Sequence, residues 1–282
     1  MKAGSELVLL VLLVVVFFSG CIGQQTTTGN GVAIESFSAI VGNEVQPNTP
    51  ITLSMVVRNS GKGKAFGVAA DLIGVPSDIT ITAGSQTQFI QDLMGPIAVG
   101  STTTKGDATT IYWTLVAPAK NSDVSYPLSV VVKYNYETEL SVQAKVVTVD
   151  YMYRTNEKSE ITSQSFNSGP ISIKASMQSI TSSGGEIPIV FEFNNVGGGS
   201  EYAYGTQPTI ENLGLLYFTI TGAYCPGGNS IRLPKGQGSN TVTCRINTAG
   251  IYDKQTYSIT VDAIYSYIVD KSTTITVKGR IL

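Results

Sequence analysis

Apolar and polar residues alternate along most of this chain. Ile51, Leu53, Met55 and Val57 interleave with Thr52, Ser54, Val56 and Arg58, a period of two with one apolar face. The same rhythm returns 136 positions later at Ile187, Ile189, Phe191 and Phe193. The turn behind each run also matches, Asn59-Ser60-Gly61-Lys62-Gly63 against Asn195-Val196-Gly197-Gly198-Gly199, and Phe66 and Tyr202 close the two turns. A second correspondence has an offset of 131. It sets Tyr126, Val130, Tyr134, Tyr136 and Val146 on Tyr257, Val261, Tyr265, Tyr267 and Val277, with Trp113 opposite Cys244 and Leu115 opposite Ile246. A loop-length difference between two copies of one unit accounts for the change of offset.

Short strand-like runs separated by Gly, Pro, Asn and Ser, with no helical periodicity beyond the N-terminal leader, predict an all-β fold of antiparallel β-sandwiches. Each strand supplies the one buried face that two facing sheets need. The expected organisation is a leader over residues 1–20, a flexible tether over 21–30, one sandwich over 31–150, a linker over 151–164 and a second sandwich over 165–282.

The leader carries twelve unbroken apolar residues, Leu7 to Phe18. That length suits a signal-peptide core better than a spanning helix, which needs roughly 18 to 20. Phe18-Ser19-Gly20-Cys21, small residues before a cysteine at the end of the apolar run, resembles a lipobox. The resemblance implies a lipid on Cys21, cleavage in front of it and an extracytoplasmic address on the outer face of the membrane. A pilin-type leader cut after Lys2-Ala3-Gly4 is the alternative, although Ser19-Gly20 would break its assembly helix early.

The stretch Ile51 to Lys64 resembles the first hairpin of CARDB-like and related immunoglobulin-like domains of archaeal and bacterial cell surfaces, whose second strand ends in V-x-N-x-G. It reads Val57-Arg58-Asn59-Ser60-Gly61 in the first copy and Phe193-Asn194-Asn195-Val196-Gly197 in the second. Cys21-Ile22-Gly23 is likewise similar to archaeal surface lipoproteins. The resemblance implies two tandem immunoglobulin-like sandwiches with an adhesive or structural role, and it brings no active site.

Composition narrows the chemistry. Charged residues make up 13% of the chain and hydrophobic ones 42%, which argues against disorder. A net charge of −2 with no basic stripe offers nothing to nucleic acid. Histidine is absent, so histidine-based triads, metal sites and pH switches are excluded. No D-x-D-x-D-G loop is present, no catalytic residue, cofactor or metal ligand is assigned, and no N-x-[ST] sequon occurs. Glu137 and Glu139 share a strand face but read as solvated charges rather than a glycosidase pair. Of the three cysteines, Cys225 and Cys244 form an even pair suited to an oxidising compartment, and a bridge between them is expected.

Tyrosines carry the binding potential. Tyr134/Tyr136, Tyr151/Tyr153, Tyr202/Tyr204 and Tyr265/Tyr267 are spaced i, i+2, so on strands each pair shares a face and forms a small aromatic shelf, and the first, third and fourth pairs are the candidate binding surface. Such shelves either stack on sugar or protein partners or pack across strands inside a sandwich. The expected partners are the membrane through Cys21, a protein or carbohydrate at the surface, and further copies of the chain through sandwich edge strands.

Overall fold

The computed structural model describes residues 31–99, 101–166, 169–178, 185–234 and 238–279. Cys21 and the whole leader lie outside them. The described chain is nearly all β. The first copy runs through β1 (Val32–Ala39), β2 (Glu44–Val45), β3 (Pro50–Asn59), β4 (Phe66–Ile73), β5 (Thr80–Ala83), β6 (Thr87–Phe89), β7 (Ala98–Val99), β8 (Thr102–Thr103), β9 (Ala108–Val116) and β10 (Val124–Val147). A helix, α1 (Val149–Thr155), leads into β11 (Glu160–Phe166). The second copy continues with β12 (Ile171–Met177), β13 (Glu186–Asn195), β14 (Ser200–Ala203), β15 (Leu215–Thr221), β16 (Ser230–Arg232), β17 (Ser239–Asn247) and β18 (Lys254–Val277).

The two longest strands dominate the architecture. β10 and β18 are 24 residues each and pair antiparallel without a break, from Val124 opposite Val277 to Val147 opposite Lys254. At about 3.4 Å per residue the ladder is roughly 80 Å long. Their alternation is continuous: every even position of β10 from Tyr126 to Val146 is buried, and Ile259, Val261, Ala263, Tyr265 and Tyr267 continue that face on β18. The two copies therefore share one sheet, flanked by β4 and β6 beside β10 and by β15 and β16 beside β18.

An approximate two-fold axis relates the copies. Asn135 and Ser266, counterparts at the offset of 131, are also direct cross-strand partners. The Ser266 hydroxyl donates to Asn135 Oδ1 at 2.7 Å. The same row extends outward to Phe66, opposite Asn135, and to Tyr202, opposite Ser266. On the buried side lie two smaller antiparallel sheets, ordered β1-β3-β9-β5 and β12-β13-β17. Ile51, Leu53, Met55 and Val57 of one and Ile189, Phe191 and Phe193 of the other join the β10 and β18 residues in a single hydrophobic core.

The stretch after β10 has structure of its own. Thr148 caps α1 by accepting the Tyr151 N–H, and Asn156 ends it in the left-handed region at φ 61°. With seven residues the helix is too short to leave a periodic signature, and only the cap residues announce it. β11 then pairs with β10 over Leu140–Lys145.

Candidate functional site

Where the shared sheet crosses the two-fold axis, Tyr134, Tyr136, Tyr265 and Tyr267 come together as four buried rings. Tyr134 stands 5.5 Å from Tyr267 and 6.3 Å from Tyr136 between ring centroids, while Tyr265 stands 6.4 Å from Tyr136 and 6.5 Å from Tyr267. The edge-on and tilted arrangements are those that ring quadrupoles favour. Each hydroxyl receives a backbone N–H from one of the covering segments: Val32 to Tyr134 at 3.2 Å, Gly63 to Tyr136 at 2.7 Å, Ile171 to Tyr265 at 3.2 Å and Gly199 to Tyr267 at 3.0 Å. The four bonds obey the two-fold relation. Burial pushes the Tyr136 phenol up to about 12, and it holds Tyr134, Tyr265 and Tyr267 well above the ordinary tyrosine value.

The V-x-N-x-G step explains itself at this point. Asn59 and Asn195 are buried at the ends of β3 and β13. Asn195 Oδ1 accepts the Gly197 N–H at 3.1 Å and the Tyr267 hydroxyl at 2.7 Å, while its amide donates to Gly199 O at 3.1 Å and Glu201 Oε2 at 2.7 Å. Asn59 repeats the scheme, accepting from Gly61 N at 3.0 Å and donating to Gly63 O and Leu93 O, both at 2.8 Å. The glycine is a matter of clearance: a Cβ on Gly61 or Gly197 would stand 2.4 or 2.3 Å from the hydroxyl of Tyr136 or Tyr267. Asparagine turns the chain, and glycine lets the tyrosine reach the turn.

Cys225 and Cys244 form a disulfide with Cα atoms 4.1 Å apart. Cys244 lies opposite Ile189 as Trp113 lies opposite Leu53, so the two are structural counterparts. Trp113 packs on Phe37 and donates its indole N–H to Ser85 O at 3.0 Å. Each copy thus ties this strand of its inner sheet to a loop earlier in the chain, once by a hydrogen bond and once covalently.

Of the six tyrosines with binding potential, Tyr134, Tyr136, Tyr202, Tyr265 and Tyr267 lie in the interior and present no face to solvent. Tyr204 is 46% exposed and rests edge-on against Phe66 of the other copy. Glu137 and Glu139 lie on the solvent side of the shared sheet, Glu139 opposite Asp262, whose carboxyl is raised by burial and by that neighbour. Sequence reasoning passed over a groove of about 530 Å³ between β6 and β9. Phe89 and Tyr112 line it, 87% and 53% exposed, and the Gln88 amide bridges it to Tyr112 O at 2.9 Å. Among the described residues no strand pairs with Ala108–Trp113 on the flank where β5 pairs with Thr114–Val116, so that stretch, with only Tyr112 O held by the Gln88 amide, forms a strand edge along this groove. The absence of any local motif in that edge hid it. The groove's carboxylates are engaged, Asp92 with Lys64 and Asp107 with the Met94 N–H. Among the described residues no group of three or more Cys, Asp or Glu is placed to hold a metal, and no helix is long and apolar enough to cross a membrane.

No protein-family model matches the chain, and no curated protein does. Solved structures with some likeness include Escherichia coli alpha-2-macroglobulin activated by porcine elastase (11% identity, 88% of this chain and 32% of that one, TM-score 0.24). Others are the secreted serine protease VesC from Vibrio cholerae (8%, 87% and 51%, TM-score 0.21) and the CupB6 tip adhesin from Pseudomonas aeruginosa (10%, 90% and 96%, TM-score 0.16). The chain spans about a third and about half the length of the first two. At these TM-scores none of them carries an argument about this protein.

Proposed function

We propose that the protein is a lipid-anchored, non-catalytic surface module on the outer face of the cell membrane, of the archaeal lipoprotein type, built from two immunoglobulin-like, CARDB-like sandwiches. The observation that carries this reading is the small-residue step into Cys21 behind the apolar leader. A disulfide between Cys225 and Cys244 fits an oxidising compartment. Carboxylates committed to ion pairs, such as Glu35 with Arg58 and Asp71 with Lys133, fit a scaffold better than an active site. A protein partner would find its contact in the β6–β9 groove, where exposed aromatics flank a free strand edge that can accept an extended segment.

The Ala108–Trp113 edge also favours a second reading, a subunit of an extracellular filament or pilus-like assembly built by strand addition or a retained N-terminal helix. Mass spectrometry of the N-terminal peptide from protein extracted from its native membrane tests both. A peptide beginning at Cys21 with added lipid mass supports the anchored module. An N terminus at Ser5 with unmodified Cys21 supports the filament and removes the anchor.

A further inference from the structure

The first copy carries an extra arm. β6 flanks β4 as β16 flanks β15, and each leads back to the asparagine turn of its copy, where Asn59 N–H donates to Asp107 O and Asn195 N–H to Gly238 O. Arg232 stands 6 positions before Gly238, but Phe89 stands 18 before Asp107. Much of the added length is the β7–β8 hairpin, whose strands pair with each other and, among the described residues, with no other strand. Its described residues from Ile97 to Thr104 are all exposed, Ile97 at 56% and Val99 at 60%, and Met94 at its base is exposed as well.

Pairing sets Val99 opposite Thr102 and Ile97 opposite Thr104 on one face. The polar groups of that face close on the arm itself. Thr102 Oγ1 donates to Val99 O at 3.0 Å, while Thr104 Oγ1 donates to Ile97 O and accepts the Ile97 N–H, both at 3.1 Å. Such internal satisfaction lowers the cost of moving a face out of water. No carboxylate side chain occurs between Asp92 and Asp107, and Lys105 at the foot of the arm is exposed. Gly95 and Gly106 seat the two legs, since a Cβ on either would clash with the carbonyl oxygen of Gly61 or Asn59. Ser60 of the same turn donates its N–H to Gly31 O at 2.7 Å. The arm and the first described residue of the chain therefore meet at one turn.

We propose that this arm is a membrane-contact element, which seats Ile97, Val99 and Met94 at the headgroup boundary of an anionic bilayer. The proposal rests on the reading that the N-terminal end of the chain is held at the membrane. Cys21 lies ten residues before Gly31, so even a fully extended connection spans at most about 35 Å. Each leg of the arm, at about 3.4 Å per residue, reaches roughly 10–15 Å from the same turn. Connection and arm thus serve one surface, and Lys105 matches its charge. Three apolar side chains hold a bilayer weakly by themselves, but attachment makes the contact intramolecular and supplies a high effective concentration.

Bromolipid quenching tests the contact, with protein purified from its native cell in detergent and reconstituted into vesicles of brominated phosphatidylglycerol. Trp113 is buried, so the unsubstituted protein supplies the baseline. Ile97→Trp and Val99→Trp should each shift to the blue and lose roughly half of the added emission or more, as a ring about 5–10 Å into the headgroup–acyl boundary would. Tyr252→Trp, at an exposed site beside the Lys254 end of the ladder, should do neither. If the protein floats with the vesicles while both arm variants stay as unquenched as Tyr252→Trp, the arm proposal is overturned and membrane attachment stands. Protein that does not float overturns the attachment and the arm with it. A blue shift without vesicles that grows with protein concentration gives the arm to a second copy and also overturns the proposal.

Discussion

Asn195 satisfies four partners from one side chain, and removing it leaves the Tyr267 hydroxyl, the Gly197 N–H and the Glu201 carboxylate without that partner in a buried site. Asn195→Ala is expected to cost about 2–4 kcal/mol, the range for orphaned buried polar groups, read from denaturant midpoints at constant slope. Glu201 offers a pH test at the same spot. Burial raises its pKa above the ordinary glutamate value, so the folded state holds the proton more tightly than the unfolded chain does. Its contribution is then fully present below the unfolded pKa and is lost as pH rises through the folded one. Glu201→Gln is therefore expected to raise Tm at pH 7 and leave it unchanged at pH 3, where both states are protonated anyway. The tyrosine cluster titrates with the same sign at the other end of the scale. Stability should fall as pH rises from about 10 through 12, and absorbance at 295 nm should report these phenolates appearing only as the protein unfolds.

Among the elements, alternation was the most legible feature. The period of two at Ile51–Val57 and Ile187–Phe193 fell on β3 and β13, and the matched turns behind them are the matched asparagine turns of the structure. The pairing of Cys225 with Cys244 was readable from the cysteine count, and the equivalence of Cys244 with Trp113 from the offset. Reduction of this bridge, whose cysteines are 19 positions apart, should lower stability by about 3 kcal/mol in the chain-entropy model, measured as a drop in Tm with and without reductant. Partner choice was not legible. Alternation states which face of β10 is buried but not which strand lies beside it, and β18 begins at Lys254, 107 positions beyond its partner Val147. For the same reason the i, i+2 spacing of Tyr134 and Tyr136 identified a shared face without telling interior from surface. α1 and the β6–β9 groove were missed because each arises from a few residues with no repeating pattern.

At the scale of the molecule, the duplication makes one continuous body. The β10–β18 ladder runs through both copies, one hydrophobic core spans them, and the tyrosines of each copy bond to backbone near the axis. A chain of separate domains would unfold in steps, whereas this arrangement couples the halves through the strand pair and the four rings. Scanning calorimetry of the disulfide-intact protein tests that coupling most directly. The account predicts a single transition whose calorimetric and van't Hoff enthalpies agree. Two resolved transitions, or a calorimetric enthalpy near twice the van't Hoff value, would contradict it by making each copy an independent folding unit.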